Sequence, residues 1–150
     1  MANQNRLDKT YMKMAEELSI LSHAKRKKVG ALVVKDAHII SEGYNGTPAG
    51  FDNKCERDNF NFPLYPYQQS TRTKPEVLHA ESNAITKLAK STNSSDGATL
   101  YITLSPCFEC SKLIIQSGIV RVVYKERYSP ADGCKFLRQA NIVVECIEKE

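Results

Sequence analysis

The chain has 150 residues, enough for a single domain with a core of its own, and its 41% hydrophobic and 25% charged content is ordinary for a soluble globular protein. Its net charge of +4, from 21 basic and 17 acidic residues, is too small to argue for a nucleic-acid partner and equally suits anionic small substrates. No apolar run approaches the roughly 20 residues that span a bilayer, and "MANQNRLDKTYMKM" lacks the apolar core of a secretory leader, so a cytoplasmic setting with no membrane partner is expected.

The first predicted element is an amphipathic helix in "LDKTYMKMAEELSILSHA", where Leu7, Tyr11, Met14, Leu18 and Leu21 recur at three- and four-residue spacing. "KRKK" follows and reads as a solvated helix end favoured by the helix dipole, with phosphate binding as the other reading. Residues 29–34 form a β-branched run. "KDAH" turns the chain, and 39–44 returns as the hairpin partner. The segment from "GTPAG" to "TRTKP" is polar, aromatic and punctuated by Pro and Gly. A connection of that length in a compact domain is often functional. "PEVLHAESNAITKLAK" is helical, with Ala80, Ala84 and Leu88 on one stripe and Leu78, Ile85 and Ala89 beside it. "ATLYITLS" alternates as a strand, and "PCFECSKLIIQSG" is a helix with Pro near its start and Gly at its end. "IVRVVYKE", "PADGCKFLRQA" and "NIVVECIE" complete a strand–helix–strand–helix–strand succession, whose short crossovers build parallel pairings. The fold predicted is α/β: a mixed five-stranded sheet with helices on both faces.

Five cysteines, an odd number with one tight C-x-x-C, read in a reducing compartment as metal or catalytic chemistry. Cys55, Cys134 and Cys146 are scattered singles and read as small buried hydrophobes. Cys107 and Cys110 lie at a helix start, where free N–H groups favour thiolates. His79 and Glu81 would diverge by about 200° inside a regular helix. They can serve one centre only if His79 precedes the helical turns, and Pro75 upstream is compatible with a late start. One His and two Cys make three ligands. Structural zinc is normally closed by four, whereas catalytic zinc keeps a position for water. Neither His23, His38 nor the remaining cysteines have paired metal spacing, so three ligands plus a water is the expectation, with Glu81 as a base beside that water.

His79-Ala80-Glu81 with Pro106-Cys107-Phe108-Glu109-Cys110 resembles the H-x-E…P-C-x-x-C signature of the zinc deaminases. Within that superfamily the chain resembles the deoxycytidylate (dCMP) deaminases. The resemblance is carried by "KKVGALVVKDAHIISEGYNGTPAGFDNKCERD", "LHAESNAI", "GATLYITLSPCFECSKLIIQSGIVRVVY" and "FLRQANIVVE", which together cover most of residues 26–145. It implies a three-layer α/β/α fold and hydrolysis of dCMP to dUMP, the thymidylate precursor. His79, Cys107 and Cys110 would hold one catalytic zinc per subunit. Glu81 would move protons from the water to ring nitrogen 3 and to the departing amine. Asn45 would contact the sugar, the Ser105 carbonyl the substrate amine, and Tyr128 the sugar-phosphate region, with Lys125 and Arg127 as further phosphate candidates. It also implies a homohexamer activated by dCTP with magnesium and inhibited by dTTP. Lys28, Gly43, Asn45, Gly46, Glu56 and Arg57 are the candidates for that effector site. Ala24 stands near the position of a cysteine that serves a second, structural zinc in some relatives, so only one zinc is expected.

Three alternatives stay open at this point. A deaminase of cytidine, a tRNA adenosine, guanine or a polynucleotide base would differ in its sugar-phosphate requirement. A noncatalytic zinc-stabilised binding module would take up zinc without releasing ammonia. A dithiol redox enzyme would need both sulfurs free of metal.

Overall fold

The computed structural model describes residues 2–57 and 72–147. Helix α1 (Ala2–Ser19) leads into strands β1 (Gly30–Lys35) and β2 (His38–Tyr44). Asp36 and Ala37 both adopt positive φ, 49° and 61°, as the tight turn between them requires. A two-residue ribbon pairs β3 (Glu56–Arg57) with β4 (Arg72–Thr73). The segment between them, 58–71, is the middle of the long connection expected from sequence and lies outside the described residues. Then come α2 (Ala80–Leu88), β5 (Thr99–Leu104), α3 (Phe108–Gln116), β6 (Arg121–Glu126), α4 (Asp132–Gln139) and β7 (Val143–Cys146).

The main sheet has the order β2-β1-β5-β6-β7. The β1 pairings are antiparallel, whereas β5–β6 and β6–β7 are parallel, so the sheet is mixed. Alternation along the strands divides the core into two layers. Ala31, Val33, Leu100, Ile102 and Val122 pack with Ala84, Ile114 and Leu137 of α2, α3 and α4. Leu32, Val34, Tyr101 and Val123 face the other way and meet Met12 and Ala15 of α1. Burial on both faces explains why the central strands read as near-continuous apolar runs. This is the expected three-layer arrangement.

Two details of α1 differ from the sequence pattern. Met14 and Leu21 are exposed, at 41% and 55%, while Asp8, Met12 and Ala15 are buried. The buried stripe is rotated because Asp8 finds a cation under the helix. Arg121 of β6 donates from both terminal nitrogens to its carboxylate, at 2.9 and 2.7 Å, Tyr101 donates at 2.6 Å and Gln4 at 2.9 Å. Arg121 Nε also donates to Glu145 on β7 at 2.6 Å. In addition, α1 ends at Ser19, so residues 25–28 form a loop beyond the helix, not its last turn.

Contact between β2 and α2 is close enough to require glycine at position 43. A Cβ there would stand 2.5 Å from the Ala80 carbonyl oxygen and 2.7 Å from the Ala84 nitrogen. Backbone bonds between Gly46 and Leu78, at 3.1 and 2.8 Å, continue this attachment up to the start of α2.

Candidate active site

The starts of α2 and α3 converge at one edge of the sheet. His79 is the N-cap of α2, with extended backbone (φ −72°, ψ 157°). It therefore lies outside the 3.6-residue repeat, and its ring and the Glu81 carboxyl can serve one centre. Cys107 is the N-cap of α3, also extended, and its sulfur accepts from the Cys110 N–H at 3.4 Å. His79 Nδ1 lies 3.5 Å from Cys107 Sγ and 3.3 Å from Cys110 Sγ. Among the described residues this is the group of His, Cys, Asp and Glu whose ligand atoms all fall within 4.8 Å of one another. A tetrahedral zinc, with Zn–S about 2.3 Å and Zn–N about 2.0 Å, spaces nitrogen and sulfur donors about 3.5 Å apart. The two N–S separations fit that ion.

The electrostatics favour one thiolate at the centre and disfavour further negative charge. The Cys107 thiol is pulled down to about 4, chiefly by a hydrogen bond from the Cys110 thiol, with burial opposing and His79 and the Cys110 N–H assisting. Cys110 is correspondingly pushed up by Cys107 and by burial. The bond to Cys107 also raises His79. Glu81 is 4% exposed. Burial pushes its carboxyl up to about 7, against the lowering effects of its own N–H and of His79.

His79, Glu81 and Cys107 border a cavity of about 270 Å³. Asn45, Ser105 and Tyr128 border it too, so the three expected substrate contacts share one space with His79, Cys107 and Glu81. Asn45 also ties the wall together, because its side chain accepts from the Val29 N–H and donates to the Lys27 carbonyl, both at 2.8 Å. Ser105 is buried, and its hydroxyl accepts from the Tyr128 N–H at 2.7 Å, which links the two positions.

The other candidates scatter. Of the five effector candidates beside Asn45, only Glu56 borders the cavity. Lys28 is exposed, with its ammonium 3.4 Å from the Ile20 carbonyl. Gly43 is accounted for by the α2 contact and Gly46 by its bonds to Leu78, and Arg57 is exposed on the ribbon. Lys125 is engaged by Glu16 and Arg127 is fully exposed, so neither reaches the cavity. Among the described residues the basic ones bordering it are Arg26 and Lys27, the ammonium of Lys27 being paired with Glu126. Their signal in the sequence is the "KRKK" run, which lies beyond the end of α1. Cys55 packs with Ala24 and Val77, Cys134 is buried, and Cys146 is exposed, contrary to the buried role expected of it.

Comparison with known proteins agrees with this geometry. Residues 5–126 match the family described as the cytidine and deoxycytidylate deaminase zinc-binding region. The chain is 36% identical over 157 aligned residues to the deoxycytidylate deaminase of Enterobacteria phage T4, covering 82% of this chain and 80% of that protein. It is 41% identical over 120 residues to the deoxycytidylate deaminase of Mycobacterium phage D29, covering 78% and 92%. Among solved structures, the dCMP deaminase from the cyanophage S-TIM5 in complex with dCMP and dUMP superposes with a TM-score of 0.84. The identity is 45%, and 95% of this chain and 97% of that chain are covered.

Proposed function

Given that this chain belongs to the cytidine and deoxycytidylate deaminase zinc-binding family, we propose that it hydrolyses dCMP to dUMP and ammonia, supplying dUMP for thymidylate synthesis. The observation that carries this reading is the common cavity. It is lined by the buried Glu81 carboxyl, by His79 and Cys107 of the three-donor set, and by the cations Arg26 and Lys27. Such a space suits a cytosine ring at one end and a phosphate at the other.

His79 Nδ1 and the sulfurs of Cys107 and Cys110 would hold a zinc ion, which would supply the Lewis acidity that makes water nucleophilic near neutral pH. The remaining chemistry falls to the chain. Glu81 accepts a proton as water adds to carbon 4 and delivers it to ring nitrogen 3. It then carries the proton left on the added oxygen to the exocyclic amine, the C–N bond breaks, and ammonia leaves. Burial of Glu81 keeps bulk water from short-circuiting these transfers. Asn45 orients the sugar, the Ser105 carbonyl accepts from the substrate amine, and Tyr128, fixed through the Ser105 hydroxyl, borders the sugar-phosphate. Arg26 and Lys27 take the phosphate.

The test is ammonia release by zinc-loaded protein from dCMP, cytidine, deoxycytidine and dCTP in parallel. Turnover favouring dCMP supports the reading, and preference for an unphosphorylated nucleoside overturns it. Activation by dCTP with magnesium, inhibition by dTTP and hexameric assembly rest on the family resemblance around "GYNGTPAG". Adding dCTP with magnesium, then dTTP, to the same assay tests the regulation, and sedimentation tests the assembly.

A further inference from the structure

The loop bearing the basic run is fastened to the cavity wall at three points. The Ser22 hydroxyl donates to the Asn45 carbonyl at 2.7 Å. The Asn45 side chain binds the backbone of Lys27 and Val29. The third point is Glu56 of β3, whose Oε1 accepts from the Lys25 N–H at 2.7 Å and from the Arg26 N–H at 3.1 Å. Glu56 is only 5% exposed. Burying a carboxylate is costly unless its hydrogen bonds are made, and here they are made to two successive peptide units of a loop, not to a side-chain cation. The bonds fix the peptide plane at Arg26, a residue that borders the cavity. They also occupy an oxygen whose negative charge would otherwise repel an anionic ligand.

We propose that Glu56 is a positioning residue for phosphate recognition. Its carboxylate holds the 25–26 backbone so that Arg26 presents its charge to the substrate's 5′-phosphate, and so sets the preference for a nucleotide over its nucleoside. This rests on the dCMP reading above. It places Glu56 in the service of the substrate site, in contrast to the effector site expected from sequence.

The experiment measures kcat and KM for dCMP and for deoxycytidine by ammonia release, on zinc-loaded protein carrying Glu56→Ala, Glu56→Gln, Arg26→Ala, and Glu56→Ala with Arg26→Ala together. Glu56→Ala lowers the ratio of kcat/KM for dCMP to that for deoxycytidine roughly 10- to 100-fold, the size of one charge-assisted hydrogen bond, with most of the change in KM for dCMP. In the Arg26→Ala background the same substitution lowers the ratio by no more than about threefold, because it acts through that side chain. Glu56→Gln keeps an oxygen that can accept from both N–H groups but loses the charge that strengthens those bonds, so it lowers the same ratio by less than Glu56→Ala, and it supplies the comparison if Glu56→Ala does not yield folded protein. A ratio equal to that of the unsubstituted protein, or a full loss that persists without Arg26, overturns the inference and leaves the dCMP reading standing. An unsubstituted protein with no preference for dCMP over deoxycytidine overturns that reading, and the inference with it.

Discussion

Two buried polar clusters lie on opposite faces of the same sheet. Under α1, Asp8 receives four hydrogen bonds from Arg121, Tyr101 and Gln4, and Arg121 also reaches Glu145. That network is complete: charges alternate in sign, and among the described residues no buried side-chain nitrogen or oxygen lacks a partner. At the starts of α2 and α3, two thiols and a carboxyl meet one imidazole, beside a cavity. The first cluster is satisfied by the chain alone, whereas in the second the charged forms of Cys110 and Glu81 are disfavoured, and an added cation would favour them. Satisfaction marks a group that holds the fold together, and a one-sided deficit marks a group that binds.

The largest effect expected is on the incomplete cluster. Glu81→Gln lowers kcat by at least about a thousandfold while the protein keeps its metal, because the amide cannot relay protons. Ammonia release alongside metal analysis checks this, and parallel loss of metal would count against it. Stripping the metal with a chelator, or replacing Cys110 by Ser, abolishes turnover. At free zinc a thousandfold above its dissociation constant the ion contributes about 4 kcal/mol, so stripping lowers the melting temperature by roughly 8–16 °C for a chain of this length.

The complete cluster behaves in the opposite way. Asp8→Asn leaves the Arg121 guanidinium short of a charge partner and costs about 2–3 kcal/mol, or roughly 4–12 °C in melting temperature, while ammonia release and the zinc-induced shift persist. Loss of activity at temperatures where this variant is still folded would erase the distinction between the clusters. The smallest effect concerns acid. Burial pushes the Asp8 carboxyl up, but the bonds from Arg121, Tyr101 and Gln4 outweigh it and hold the group below its ordinary 3.8. Its stabilisation is therefore present above about pH 4 and is lost as the pH falls through the folded-state value. Urea midpoints from pH 6 to pH 2 should converge for the unsubstituted protein and Asp8→Asn at the acid end.

The donor set and the sheet are legible in the sequence because both rest on short-range signals. His79 and Glu81, two apart, demand an extended histidine at a helix start, and the structure has one. The strand–helix alternation from residue 98 requires parallel pairings, and β5–β6–β7 are parallel. Partnerships between residues far apart in the chain leave no such trace. No local pattern announces that Asp8 will be buried by an arginine 113 positions later, so periodicity places Tyr11 and Leu18 toward the core but misses Asp8 and puts Met14 and Leu21 there wrongly. Nor does anything near Glu56 show that it will accept from backbone groups 30 and 31 residues earlier. The basic run is visible, but its position on the cavity rim depends on α1 stopping at Ser19.

The glycine at position 43 makes an absent side chain a gauge. Since α2 rests directly on bare strand backbone, the height of the whole helix above the sheet is set there, one turn or less from His79 and Glu81. A single methyl group would act as a wedge under a short rigid beam whose tip carries both residues. Displacement at the contact would be read out at that tip as misalignment of a histidine ligand and a proton carrier. The tolerances of the reaction centre are thus set by a packing contact that takes no part in the chemistry.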